Sequence, residues 1–209
     1  MRKDFYFFRH GQTDANLRGV WQGCSSDNLL NATGKEQAKE LAFKVKKLRL
    51  TNLYCSPLLR SVQTANIIVQ GTGFSYPVGV CQDLRECCFG DAEGLTFEET
   101  KARYGEELVN RILFPTKRSW DMLFPNGESK HEVFERVIKC LEYIVEASLY
   151  AHGNQNRFGI VCHAGVINAL QCGLGLTDVS YENCSILHLT CGDEMIAPIV
   201  RDLKQVFDV

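Results

Sequence analysis

The sequence predicts an α/β fold, a three-layer sandwich with a mostly parallel central sheet flanked by helices. Two observations carry this expectation. Short, wholly apolar runs such as Phe5–Phe8 and Phe158–Cys162 suit strands buried on both faces, as in parallel sheets. Between them lie segments of helical period with charged outer faces, and strand–helix alternation implies right-handed crossovers between parallel strands.

Taken in order, the first strand is Phe5–Phe8, which runs into Arg9-His10-Gly11. From about Gly34 to Leu48, Ala38, Leu41, Ala42, Val45 and Leu48 recur at helical spacing. The cap of this helix is Asn31 or Thr33, the latter forming a capping box with Glu36. Leu53–Cys55 reads as a second strand. Ser56-Pro57 then supplies an N-cap and a first-turn proline for a helix through Ile68. Val78–Cys81 is a third strand, and Thr96 to Glu99 is a capping box for a short helix. The pattern blurs from Tyr104 to Gly127. Ser129 to Glu132 is a further capping box, opening a long helix that carries Val133, Val137, Ile138, Leu141, Ile144 and Val145. Strand Phe158–Cys162 ends at His163, a helix spans about Val166 to Cys172, and strands follow near 185–189 and 195–200.

Composition bounds the function. The 209 residues carry 23 basic and 25 acidic side chains, a net charge of −2, with 45% hydrophobic residues. That is too apolar for a disordered chain. It is too evenly charged for a dedicated nucleic-acid binder. No linker, repeat or charge block divides the chain, so it reads as a single domain over 1–209. Neither an export signal nor a run of membrane-spanning length is visible, so a cytoplasmic location without membrane partners is expected. The ten cysteines then read as reduced thiols, mostly small core residues. They form no CxxC knuckle, which argues against zinc.

The chemistry collects at three strand ends. Arg9 and His10 follow the first strand, Arg60 follows the second, and His163 ends the late one. If these strands are neighbours, two arginines and two histidines converge on one rim, where active sites of such sheets lie. Buried cations are costly unless an anion pairs with them, and arginine matches phosphate oxygens at two points. Helix N-termini would add N–H donors. The residues therefore predict a phosphate pocket containing a potential imidazole nucleophile.

The motifs resemble those of the histidine phosphatase superfamily, which includes phosphoglycerate mutases and fructose-2,6-bisphosphatase-like phosphatases. Arg9-His10-Gly11-Gln12-Thr13-Asp14-Ala15-Asn16 resembles the signature R-H-G-x-[ST]-x-x-N. Gln22-Gly23, Asp27, Leu30 and Gly34 continue the pattern. Ser56 to Ala65 is similar to the second arginine segment, and Leu84-Arg85-Glu86 with Phe89-Gly90 and Glu93-Gly94-Leu95 to the acid-bearing segment. Gly127-Glu128-Ser129 and His163-Ala164-Gly165 complete a likeness spanning roughly residues 5 to 190. Leu29 departs from the family's usual proline, and Cys87-Cys88 and Asp91-Ala92 depart within the acid segment.

The resemblance implies a phosphoglycerate mutase-like fold and a metal-independent, cofactor-free reaction. By it, His10 is the nucleophile that forms a phosphohistidine, kept neutral by neighbouring Arg9, Arg60 and His163. Arg9, Asn16, Arg60 and His163 would hold the phosphoryl oxygens, and Glu86, partly buried, would protonate the leaving oxygen. Thr13, Gln22 and Gly23 are weaker candidates for substrate contact, with packing and turn roles equally open. Glu128 is either a pocket residue or a favourable charge at a helix start. Trp21 and Trp120 read as packing residues.

Three functions follow. The first is hydrolysis of a small phosphorylated metabolite. The second is a mutase, which needs extra enclosing length; only 77 positions separate Glu86 from His163, favouring the compact phosphatase branch. The third, a non-catalytic phospholigand-binding module, ranks last because the nucleophile and acid are both present. A cap over the pocket is expected at about 97–127. There Lys101, Arg103, Arg111, Lys117 and Arg118 are candidates for meeting a second anionic group. Fructose-2,6-bisphosphate, phosphoglycerates, α-ribazole phosphate and a broad range stay open as substrates. If the protein self-associates, a homodimer is the commonest closed form.

Overall fold

A computed structural model describes residues 2–75, 77–149, 156–177, 179, 181–192 and 204–206. Its elements run β1 (Lys3–Arg9), α1 (Asp14–Leu17), α2 (Ala32–Leu48), β2 (Asn52–Cys55), α3 (Leu59–Thr72) and β3 (Gly79–Val80). They continue with α4 (Phe97–Tyr104), α5 (Glu106–Leu113), α6 (Lys130–Leu149), β4 (Arg157–Cys162), α7 (Ala164–Leu174), β5 (Ile186–Cys191) and β6 (Lys204–Val206). The sheet order is β3-β2-β4-β1-β5-β6. β3, β2, β4 and β1 pair in parallel, while β5 and β6 are added antiparallel at one side. The α/β expectation holds, and β2, β4 and β1 are adjacent, so the three chemistry-bearing ends share one rim.

The apolar runs are explained by burial on both faces. In β1, Phe5 and Phe7 pack into a core shared with α6 and α7, while Tyr6 and Phe8 face α2 and α3. In β4, Phe158, Ile160 and Cys162 join the first core and Val161 the second. A strand pinned on both sides has its register fixed, because a one-residue slip would exchange the two faces.

Several local expectations are corrected. The cap of α2 is Asn31, whose Oδ1 accepts from the Gly34 N–H at 2.8 Å. The second helix starts at Leu59 rather than Pro57. The N-cap position is Leu58, without a side-chain cap; the Ser56 hydroxyl accepts from the Leu58 N–H at 3.3 Å and lies 2.7 Å from His163 Nε2. The third strand shortens to Gly79–Val80, and α7 extends to Ala164–Leu174. The blurred stretch after Tyr104 contains α5, whose Val109 and Ile112 are buried. The strand expected near 195–200 lies outside the described residues, and β6 was unforeseen.

The cysteine expectation is also corrected: Cys24 and Cys88 are joined by a disulfide, with Cα atoms 4.7 Å apart and 64 positions between them in sequence. Local spacing could not show this pair, since two loops distant in sequence bring it together. Cys55, Cys81, Cys87, Cys140, Cys162, Cys172 and Cys184 are free thiols, most of them buried. Among the described residues no helix is long and apolar enough to cross a membrane.

Candidate active site

The site begins where β1 ends. Its backbone turns at Gly11, where a Cβ would stand 2.3 Å from the Gly34 carbonyl oxygen, so the turn and the start of α2 touch backbone to backbone. His10 follows immediately from the strand and is almost fully buried. Its Nδ1 lies 2.7 Å from the Gly11 carbonyl oxygen. A carbonyl only accepts, so Nδ1 carries the proton and the Nε2 lone pair is left for chemistry. Burial, and after it the guanidinium groups of Arg60 and Arg9, hold this imidazole well below the ordinary histidine range, against the opposing bond to Gly11. Neutrality was foreseen from the cations; burial is the larger cause.

Arg60 is fully buried on the first turn of α3. Its Nη1 donates to the Ser26 carbonyl at 2.7 Å and its Nη2 to the Gly23 carbonyl at 3.1 Å. Gly23 is thus a support for Arg60 and not a surface of the cleft. Arg9 donates through Nη1 to the Tyr181 carbonyl. His163 precedes α7, fully buried, with its ring centre 5.2 Å from that of His10. Burial, then Arg60, His10, Arg136 and Arg9, lower its affinity for a second proton well below the usual range.

Glu86 is 5% exposed, as its expected role requires. Its two carboxylate oxygens accept from the backbone N–H of Cys87 at 2.7 Å and of Gly165 at 3.2 Å, the second within the first turn of α7. A Cβ at Gly165 would collide with that carboxylate at 2.1 Å, so this glycine makes room for the acid.

Arg9, His10, Asn16, Gln22 and Glu86 line a single cleft of about 110 Å³. Arg60, His163, Thr13 and Gly23 are buried outside its lining. Thr13 is explained by local structure: it caps α1, and its hydroxyl donates to Gln22 Oε1 at 2.7 Å. The side-chain Oδ1 of Asn16 accepts from the Thr13 backbone N–H at 3.1 Å. Trp21 packs among Phe89, Phe97 and Phe124, as expected, and Trp120 stacks on His131.

The five cap cations are not at the cleft. Lys101 pairs with Glu98, Arg111 with Glu107, and Lys117 lies over the Trp120 ring. None of the five is among the lining residues; the cap contributes Phe97, Ile112 and Leu113 instead.

Supporting residues went unforeseen. Arg136, from α6, donates to both oxygens of Glu128 and to the backbone carbonyls of Asp83 and Glu86. Glu128 is therefore an anchor of the acid segment and also accepts from the Cys88 N–H at 3.2 Å. Glu93 binds the backbone N–H groups of Cys24, Ser25 and Phe89, tying the loop that grips Arg60 to the acid segment. Asn183 donates to the His10 carbonyl at 3.0 Å. A basic residue eight positions after Glu128 on a helix was the only available signal for Arg136.

Among buried side-chain polar atoms of the described residues, eight lack a hydrogen-bond partner. Three are Arg9 Nε, Arg60 Nε and His163 Nδ1, and two more, Trp21 Nε1 and Asn168 Oδ1, belong to cleft-lining residues. Four of these five are nitrogens and one, Asn168 Oδ1, is an acceptor; orphaned buried polar atoms are rare.

The sequence profile of the histidine phosphatase superfamily (branch 1) matches residues 5–198. An uncharacterized phosphatase, PhoE of Bacillus subtilis, is 34% identical over 172 residues, covering 82% of this chain and 75% of its own. A 2,3-bisphosphoglycerate-dependent phosphoglycerate mutase of Cytophaga hutchinsonii is 29% identical over 201 residues, 96% and 88% of the two chains. The solved mycobacterial glucosyl-3-phosphoglycerate phosphatase, in complex with VO3, superposes with a TM-score of 0.80 at 26% identity, covering 99% of this chain and 98% of that one. With its signature residues folded onto one rim of a parallel sheet, the chain belongs to the histidine phosphatase superfamily.

Proposed function

We propose that the protein is a metal-independent phosphomonoester hydrolase of small phosphorylated metabolites, acting through a phosphohistidine on His10. The observation that carries this reading is the His10 Nδ1 bond to the Gly11 carbonyl, which fixes the tautomer of a neutral imidazole beside Arg9 and Arg60.

In the first step, His10 Nε2 attacks phosphorus and the P–O bond to the alcohol breaks. Glu86 gives its proton to the departing oxygen. In the second, Glu86 takes a proton from water, the water oxygen attacks phosphorus, and the P–N bond breaks to return neutral His10. Arg9, Arg60, Asn16 and His163 hold the phosphoryl oxygens throughout, so that charge is stabilised by fixed dipoles and cations. If the Ser56 hydroxyl donates to His163 Nε2, the proton of that ring sits on orphaned Nδ1, where an oxyanion can accept it.

The phosphatase-named relative and the phosphatase structure support hydrolysis over phosphoryl return, as does the short cap. Product analysis with 3-phosphoglycerate and a panel of sugar phosphates tests it: inorganic phosphate should accumulate. Interconversion of the phosphoglycerates without phosphate release would instead establish the mutase.

A further inference from the structure

The cleft contains a cation that the phosphohistidine chemistry does not use. Lys130, the first residue of α6, is only 3% exposed and lines the cleft with Arg9, His10 and Glu86. Its Nζ lies 4.5 Å from the centre of the Phe89 ring and meets the Cys87 thiol. Among the described residues no carboxylate forms an ion pair with it; the Glu128 carboxylate is held by Arg136 and Arg85 instead.

A buried ammonium whose neighbours are an aromatic face and a thiol is under-compensated. Its location is unfavourable in a second way, since the positive end of the α6 dipole repels a cation. Stability explains neither choice. Both become favourable when an anion enters, because the lysine and the helix end then act on it together.

The same cleft holds a second polar handle. Asn168 on α7 is 8% exposed, and its Nδ2 donates to the Leu113 carbonyl at 2.9 Å. That bond leaves Oδ1 buried without a partner in the cleft wall. Phe97 and Ile112 line the same cleft and give it apolar walls.

We propose that Lys130 is the specificity residue of this enzyme, recognising a second anionic group on the leaving alcohol, with Asn168 Oδ1 accepting a hydrogen bond from a hydroxyl or amine of the same group. The proposal rests on the hydrolase reading and deepens it. The substrate class is a compact phosphomonoester whose alcohol carries a carboxylate or a second phosphate. The role expected of the cap cations therefore falls to a residue outside that segment.

Matched ester pairs test this: 3-phosphoglycerate against glycerol 3-phosphate for the carboxylate, and fructose 1,6-bisphosphate against fructose 6-phosphate for the second phosphate. In the wild type, the member with the extra anion should have the higher kcat/KM in at least one pair, by about 10-fold or more. Lys130→Met should collapse that ratio towards one, and Lys130→Arg should largely restore it. A wild-type ratio near one in both pairs, or a ratio unchanged in Lys130→Met, overturns the proposal. Calorimetric binding of the same pairs to a His10→Ala background, with and without Lys130→Met, reads recognition without turnover. If no ester releases phosphate, the hydrolase reading fails while this binding ratio still decides the role of Lys130.

Discussion

Arg136 and Glu128 form a two-point ion pair, Nε to Oε1 at 2.7 Å and Nη2 to Oε2 at 3.0 Å, directly behind the acid segment. Arg136 also donates to the Asp83 and Glu86 carbonyls, so one guanidinium sets the backbone that carries Glu86. Fork-to-fork pairs of this kind fix geometry as well as charge.

Arg136→Met should therefore impair catalysis without touching substrate. Displacing Glu86 by about 1 Å lowers kcat by roughly 10²-fold, with a smaller change in KM. The variant also leaves the Glu128 carboxylate with only the looser Arg85 pair at 3.5 Å and the Cys88 N–H to compensate it, costing up to about 3 kcal/mol. Steady-state kinetics with a denaturant titration separate the two effects. A loss of stability with kcat preserved would assign Arg136 a structural role only.

Burial, reinforced by Arg60, depresses the proton affinity of both His10 and His163. The sign follows from linkage. Both rings stay neutral in the folded chain while the unfolded chain takes up protons below about pH 6.5, so stability is full above that pH and falls below it. The two histidines together contribute a slope approaching about 2.7 kcal/mol per pH unit until the folded rings protonate. Urea unfolding between pH 7 and pH 5 measures it, and His163→Gln should flatten the dependence. A slope identical in that variant would refute the assignment to His163.

The Cys24–Cys88 bridge closes a loop spanning 64 positions. Loop-closure entropy predicts a loss of up to about 4 kcal/mol on its removal. Cys88→Ser, or wild type held in a reductant, should show that loss in the unfolding midpoint. Equal midpoints with and without reductant would mean that the bridge does not form in solution.

The legible parts of this protein were those governed by local rules. Phe5–Phe8 and Phe158–Cys162 announce a doubly covered sheet because no polar residue interrupts them, and the Thr96 and Ser129 capping boxes mark α4 and α6. Arg9, His10, Arg60, Glu86 and His163 were legible together because strand ends and motifs coincide. What sequence did not show depends on distant pairing. Ser56 reads as an N-cap, and nothing local shows that its hydroxyl meets His163, 107 positions away. Cys24 reads as a free thiol until Cys88 arrives beside it. Lys130 reads as an ordinary member of a capping box, because nothing local says that its side chain is buried. The cap cations mislead in the opposite sense: their charge suggests substrate, but neighbouring glutamates on the same helices satisfy Lys101 and Arg111.

The central claim is that His10 becomes covalently phosphorylated. Rapid alkaline quenching during turnover of a phosphomonoester, followed by peptide mass spectrometry, tests it most directly. One phosphoryl group is expected on the peptide containing His10, on Nε2, with neither adduct nor turnover in His10→Ala. A phosphoryl group on any other residue, or turnover surviving in His10→Ala, would contradict it.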